Sequence, residues 1–143
     1  MTTQLDLLFT EIMHGYLDTA ASRTAGVPAA ADCALQKMDA EVDEKDPRIC
    51  ITVTENSERT RTRQLVVMAV ARGRAPRSTT GPWLAKVGDR MADEKELMAY
   101  IATLPVEKRT GYQIEHLSRP MPGTIVRGEA VESGIGVSIL LTV

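Results

Sequence analysis

Histidine, cysteine and aromatic residues are scarce in this chain of 143, which has two His, two Cys, one Trp, three Tyr and one Phe. Each scarcity removes a class of function. His14 and His116 have no further potential ligand at metal spacing, and Cys33 and Cys50 lie far apart, so no metal site is expected. Two cysteines are also too few to staple a domain. Cys50 stands among β-branched neighbours, where a small buried thiol is the plain reading, and reducing, cytosolic surroundings fit. The aromatic residues Phe9, Tyr16, Trp83, Tyr100 and Tyr112 fall mostly in helical stripes, not along a basic strip, which argues against the stacking surface that nucleic acid requires. No apolar run approaches membrane-spanning length, and residues 1–6 have no basic region ahead of an apolar core, so neither an anchor nor an ordinary signal peptide is expected. Catalytic signatures are missing too. Gly134-Ile135-Gly136 lacks the third glycine and the following helix of a phosphate loop, and Ser78, Ser118 and Ser138 lack a nucleophile-elbow context. No catalytic residue and no cofactor is expected.

What the chain does have is segregated charge. The net charge of -2 combines residues 1–58, with 11 acidic against 4 basic side chains, and residues 59–143, with 8 against 13. Within residues 59–92 eight basic side chains face Asp89 alone, whereas residues 39–46 form an acidic run. Opposite patches of this kind pair internally or with a neighbouring molecule.

Two apolar runs, residues 49–54 and 64–71, lie on either side of a link without apolar residues and read as a long β-hairpin. In the first run Ile49, Ile51 and Val53 share one face while Thr52 and Thr54 look the other way, towards a wet or lightly covered side. The second run is apolar on both parities, Leu65 and Val67 against Val66, Met68 and Val70, so cover is expected on both of its faces. Ahead of the hairpin, Leu5, Leu8, Phe9, Ile12, Met13, Tyr16, Leu17 and Ala20 keep helical spacing, with Gly15 demanding either a close contact or a bend. Residues 21–31 read as a loop, and residues 30–42 as either a weakly amphipathic helix or a short strand and turn. Beyond the hairpin, Thr80 caps a helix with Pro82 in its first turn and with Trp83, Leu84, Val87 and Met91 inward. Asp93 and Glu96 begin a second segment, or a new turn of the same helix, carrying Leu97, Met98, Ile101 and Leu104 and ended by Pro105. Residues 112–117 and 134–143 alternate as strands, the latter with Ile135, Val137, Ile139, Leu141 and Val143 inward, and residues 118–132 read as a loop with a short extended piece at 124–127. The class is α+β: one domain over 1–143, a mainly antiparallel sheet of four to five strands, and an N-terminal helix and central helical block packed on one face.

The basic cluster carries the sharpest functional reading. Arg59, Arg61 and Arg63 alternate on one strand end, and Arg72, Arg74 and Arg77 come from the other, so a long hairpin holds the two triplets apart. A charged, solvated hairpin tip is the bland account. An interface between copies, with these arginines meeting Glu41, Asp43 and Glu44 of the next copy, is the more specific one.

With this order of elements, the chain resembles the small tail terminator and tail completion proteins of long-tailed phages and prophages. The likeness lies in the opening helix 5–20, the strand Pro47-Arg48-Ile49-Cys50-Ile51-Thr52-Val53, the strand 65–72, the helical block 82–104 and the late strand 134–143 behind the acidic residues Glu129 and Glu132. It is a likeness of layout, and residues 30–46 depart from it in being longer and more acidic than a simple helix-to-strand loop. It implies a non-enzymatic subunit without cofactor that forms a ring, often a hexamer, and docks on a tail tube or head–tail connector. Such a subunit is cytoplasmic during assembly and part of the virion tail if phage-encoded. Two other classes remain: a small-ligand or enzymatic domain with a pocket near Tyr112, Glu115 and His116, and a cytosolic adaptor binding one host protein.

Because the strand at 134–143 supplies core positions up to the last residues, removing residues 139–143 should abolish cooperative unfolding instead of merely trimming the domain. Thermal melts followed by circular dichroism check this.

Overall fold

The structure, a computed structural model, describes residues 4–28, 34–37, 48–58, 61–72, 77–127 and 130–143. In chain order the elements are α1 (Gln4–Leu17), α2 (Ala20–Thr24), β1 (Ala34–Lys37), β2 (Arg48–Glu58), β3 (Thr62–Arg72), α3 (Arg77–Met91), α4 (Glu94–Ile101), α5 (Val106–Arg109), β4 (Gln113–Leu117), β5 (Met121–Arg127) and β6 (Ala130–Thr142). The class is α+β, and none of the described helices is long and apolar enough to cross a membrane.

The two apolar runs form the expected hairpin, with Ile49, Ile51 and Val53 set beside Ala71, Ala69 and Val67. β3 then pairs antiparallel with β6 over nine positions, from Thr62↔Thr142 to Val70↔Gly134. Since β3 fills one edge of β6 over that span, β4 and β5 share the other edge, β4 against residues 139–142 and β5 against 130–136. Ser118 carries the ladder across the gap between them: its N–H donates to the Ser138 carbonyl at 2.9 Å, and its Oγ accepts from the Ser138 N–H at 2.8 Å. Five strands are thus antiparallel, and β1 is added at the opposite edge, parallel to β2.

Alternation decides which side the helices take. Ile49, Ile51, Leu65, Val67, Ala69, Ile139 and Leu141 are fully buried and form one cluster with Phe9, Met13, Tyr16 and Leu17 of α1 and with Val87 and Met91 of α3. α1 lies on β2, and α3 lies across β3 and β6. The N-terminal helix and the helical block therefore cover a single face. Cover on the two faces of β3 is unequal: Leu65 and Val67 are fully buried, while on the other side Val70 is fully buried but Val66 and Met68 are only half-buried. No described helix packs there, and the opposite parity of β6 is Gly136, Ser138, Leu140 and Thr142.

Several boundaries differ from the sequence reading. The expected loop at 21–31 begins as helix α2, because Thr19 breaks the first helix and caps the second, its Oγ accepting from the Ser22 N–H at 3.2 Å. Ala20 is in consequence exposed on α2 instead of inward on α1. α3 starts at Arg77, ahead of Thr80, which is buried inside the helix; Pro82 lies in its second turn, where it removes only the bond to the Ser78 carbonyl. α4 has the expected cap, Asp93 accepting from the Glu96 N–H, but Met98 is 47% exposed and the helix ends at Ile101; Pro105 caps α5 instead. The loop expected at 118–132 is largely the β5–β6 hairpin, and Val143 lies beyond β6 and is exposed. Of residues 30–42, the described part, 34–37, is a short strand.

Two glycines mark close approaches between layers. A Cβ on Gly15 would overlap the hydroxyl of Tyr100, so packing, not bending, is what demands a small residue in α1. A Cβ on Gly88 would overlap Ile135 Cδ1 and stand 3.1 Å from Pro120 Cβ, which seats α3 directly on β6. Gly88→Val should lower stability by about 1–3 kcal/mol, as overpacking does, read as a lower midpoint in urea unfolding.

Candidate functional site

Of the residues singled out for an interface, the structure describes Arg61, Arg63, Arg72 and Arg77. Arg61 is exposed just before β3, its carbonyl accepting from the Val143 N–H at 3.0 Å, and Arg63 is half-buried at the start of β3. Arg72 ends the same strand and Arg77 opens α3. Nine residues of strand put Arg63 and Arg72 about 30 Å apart, so the two triplets occupy opposite ends of the sheet, as the long hairpin required. Arg59, Arg74, Glu41, Asp43 and Glu44 lie outside the described residues.

The residues considered for a pocket are also dispersed. Tyr112 packs edge-on against Phe9 with ring centres 5.1 Å apart, and its hydroxyl donates to the Lys108 carbonyl. His116 is exposed on β4, and Glu115 stands at a bulge, accepting from Thr142 Oγ1 at 3.0 Å. A shallow groove of about 510 Å³ lies elsewhere, between α3 and the base of the β5–β6 hairpin. Gly81, Leu84, Ala85, Pro122, Thr124 and Ile135 line it, with no acid, base or thiol among the lining residues. It offers shape and main-chain groups, not proton transfer or nucleophilic attack.

One polar cluster is buried, and it reads as a structural node. Arg90, 8% exposed, places its guanidinium 4.5 Å from the centre of the Tyr16 ring and donates from Nε to Ser22 Oγ at 2.9 Å. Its Nη1 lies 3.7 Å from Glu96 Oε2. Tyr16 in turn donates its hydroxyl to the Arg90 carbonyl at 2.7 Å, and Ser22 Oγ donates to the Tyr16 carbonyl. Four helices, α1 to α4, meet there. The sequence reading counted Arg90 with the basic residues; the missed signal was its place three residues after Val87 on the buried stripe of α3.

Two surfaces remain that the sequence reading did not assemble. The first is an arm. β6 is paired with β3 only as far as Gly134, whereas β5 and β6 stay paired through Thr124↔Ser133, Ile125↔Glu132, Val126↔Val131 and Arg127↔Ala130. These four pairs form a two-stranded ribbon beyond the sheet, with residues 121–124 at its root all exposed. Among the described residues no strand pairs with the outer edge of β5.

The second surface is the face of the sheet opposite the helices. It presents Thr52 and Thr54 from β2, Thr62, Gln64, Val66 and Met68 from β3, and Gly136, Ser138, Leu140 and Thr142 from β6. Gln113 and His116 of β4 and Met121 of β5 complete it. On the same parity the register continues to Cys50 and Val70, which are both fully buried, and then to positions 48 and 72, which are both arginine. Leu140 is 39% exposed and Met121 69%.

No family model matches the chain, and no curated protein matches it.

Burial pushes the Tyr16 hydroxyl up from 10.0 to about 12, against the opposing pull of the Arg90 guanidinium. The raised value belongs to the folded state, so its contribution to stability is complete below the pH where an unfolded tyrosine ionises. It is lost as pH rises through about 12. In an alkaline titration followed by tyrosinate absorbance, one tyrosine should ionise last and together with unfolding. Tyr16→Phe should remove that step and cost about 1–2 kcal/mol, because the Arg90 carbonyl loses its donor.

Proposed function

We propose that the chain is a structural assembly subunit of the kind its layout resembles, a tail terminator or tail completion protein whose copies join head to tail into a ring on a tail tube or head–tail connector. The β5–β6 arm carries this reading. An isolated two-stranded ribbon is marginally stable in water at best, and the outer edge of β5 presents main-chain donors and acceptors to which a neighbouring chain can add. A ribbon that reaches beyond its own sheet is suited to rest on the next copy. Such a contact joins two different patches, which closes into a ring when the rotation between copies allows it.

Charge supports the same picture in a subordinate way. The opposite signs of the two parts of the sequence, and the arginines held at both ends of β3, would orient copies as they meet and suppress wrong encounters, more than they would hold a formed contact. In this reading the subunit assembles in the cytoplasm and acts by occupying a position, without a reaction or a cofactor.

Sedimentation velocity of the full chain across protein concentration tests the reading. The native chain should form a closed species of fixed mass above a threshold concentration. A variant in which a two-residue turn replaces residues 124–133 should fold, with an unchanged circular dichroism spectrum, but give nothing larger than a dimer. A ring unaffected by loss of the arm, or a native chain that never exceeds a dimer, would overturn it.

A further inference from the structure

We propose that the arm receives the next copy along the outer edge of β5, from Pro122 to Val126, and that the occupant is an extended, uncharged segment of that copy lying beside α3. This rests on the ring reading and deepens it, by naming the groups that make the contact.

The register shows which main-chain groups face outward. Along a strand, the N–H and C=O of successive residues point to alternate edges. The Ser118 N–H reaches the Ser138 carbonyl on the β4 side of β6, and the Val143 N–H reaches the Arg61 carbonyl on the β3 side. Even-numbered residues of β6 therefore face β4 and β5. Met121, Gly123, Ile125 and Arg127 meet them through Gly136, Gly134, Glu132 and Ala130, so the alternate residues Pro122, Thr124 and Val126 turn their main-chain groups outward. Proline has no N–H, so this edge offers two donors, at Thr124 and Val126, and three acceptors over about 14 Å. In the other set, Pro122 would leave a ladder bond to β6 unmade. At the root of the arm it also stops a neighbouring strand from running on along the sheet.

The side chains beside this edge set the chemistry of the occupant. Pro122 and Thr124 share the helix side of the sheet with Ile135 and Ser133, their partners in β6. They line the groove whose other wall is Gly81, Leu84 and Ala85 of α3. A strand added to β5 lays alternate side chains over that groove. The helix wall is open, since Ala85 is exposed and a Cβ on Gly81 would meet nothing within 4 Å. None of the lining residues is charged. An apolar side chain fits there, whereas a charged one would lose water without gaining a partner.

The size of the contact favours repetition. Five strand positions, 122 to 126, are far fewer than the roughly 20–30 residues that each partner gives a stable interface. One such contact is weak alone. It holds when every copy gives one and receives one, which a closed ring of identical chains provides and a single foreign peptide does not.

Sedimentation velocity of full-length variants tests this. Thr124→Pro removes one outward donor and leaves the bonds to β6 in place, while Ala85→Trp fills the groove from an exposed helix position. Both should keep the native circular dichroism spectrum and a near-native thermal midpoint. Each should raise the concentration needed for assembly about tenfold, as the loss of one hydrogen bond does. Thr124→Val keeps the N–H and should assemble like the native chain. If the native chain forms rings and the Thr124→Pro and Ala85→Trp variants form them at the same concentration, this inference is overturned and the ring reading stands. Loss of the ring in Thr124→Val would overturn it too, by moving the contact to the hydroxyl. A native chain that never exceeds a dimer overturns both.

Discussion

The pairing of β3 with β6 is the constraint from which the other positions follow. β6 runs for thirteen residues and holds β3 on one edge and both β4 and β5 on the other. The side-chain period of a strand is two, so this register puts Ile135, Val137, Ile139 and Leu141 beneath the helices and Gly136, Ser138, Leu140 and Thr142 on the outside. A slip of one residue would exchange the two sets, burying hydroxyls and exposing the core. α3 reads the same register, since Gly88 leaves room for the side chain of Ile135 where the helix lies on the strand. The arm is its remainder: where β3 runs out, β6 continues with β5 as its sole neighbour among the described residues.

A second constraint orients the helical layer. Removing a guanidinium from water costs several kcal/mol unless hydrogen bonds and an opposite charge replace the water. Arg90 obtains the replacement from three other helices: the Tyr16 ring of α1, the Ser22 hydroxyl of α2 and the partly exposed Glu96 carboxylate of α4. Those partners lie far apart in sequence, so the charge is tolerated only when all the helices have docked in one arrangement. The apolar contacts that surround it, among them the Tyr16 and Tyr100 rings at 5.6 Å, are less demanding of angle. The cluster thus selects one packing of helices on a core that would accept several.

Where period and burial agree, the sequence was readable. The long hairpin, the opening helix, the inward residues Leu84, Val87 and Met91, and the cap at Asp93 are all local patterns repeated over several residues. Elements that depend on a single contact were not readable. α2 exists because one hydroxyl, on Thr19, interrupts what periodicity would continue to Ala20. β5 contains Pro122 and Gly123, which read as a loop, but an edge strand has no need of every N–H and tolerates both. β1 has four residues, too few to show a period. The candidate surfaces were hidden for a different reason. The arginines were prominent because they are neighbours in sequence, and the fold separates them. Thr52, Met68, Gly136 and Met121 form one row across four strands, yet they are scattered through the chain and share no local signature. Their lack of charge becomes visible only when the register brings them side by side.

The face of the sheet opposite the helices is covered unevenly. Cys50 and Val70, set side by side on it, are fully buried, whereas Val66 and Met68 are half-buried and Leu140 is 39% exposed. The arm would add a contact of another kind: joined head to tail, it propagates from copy to copy until a ring closes, because the two patches that meet are different.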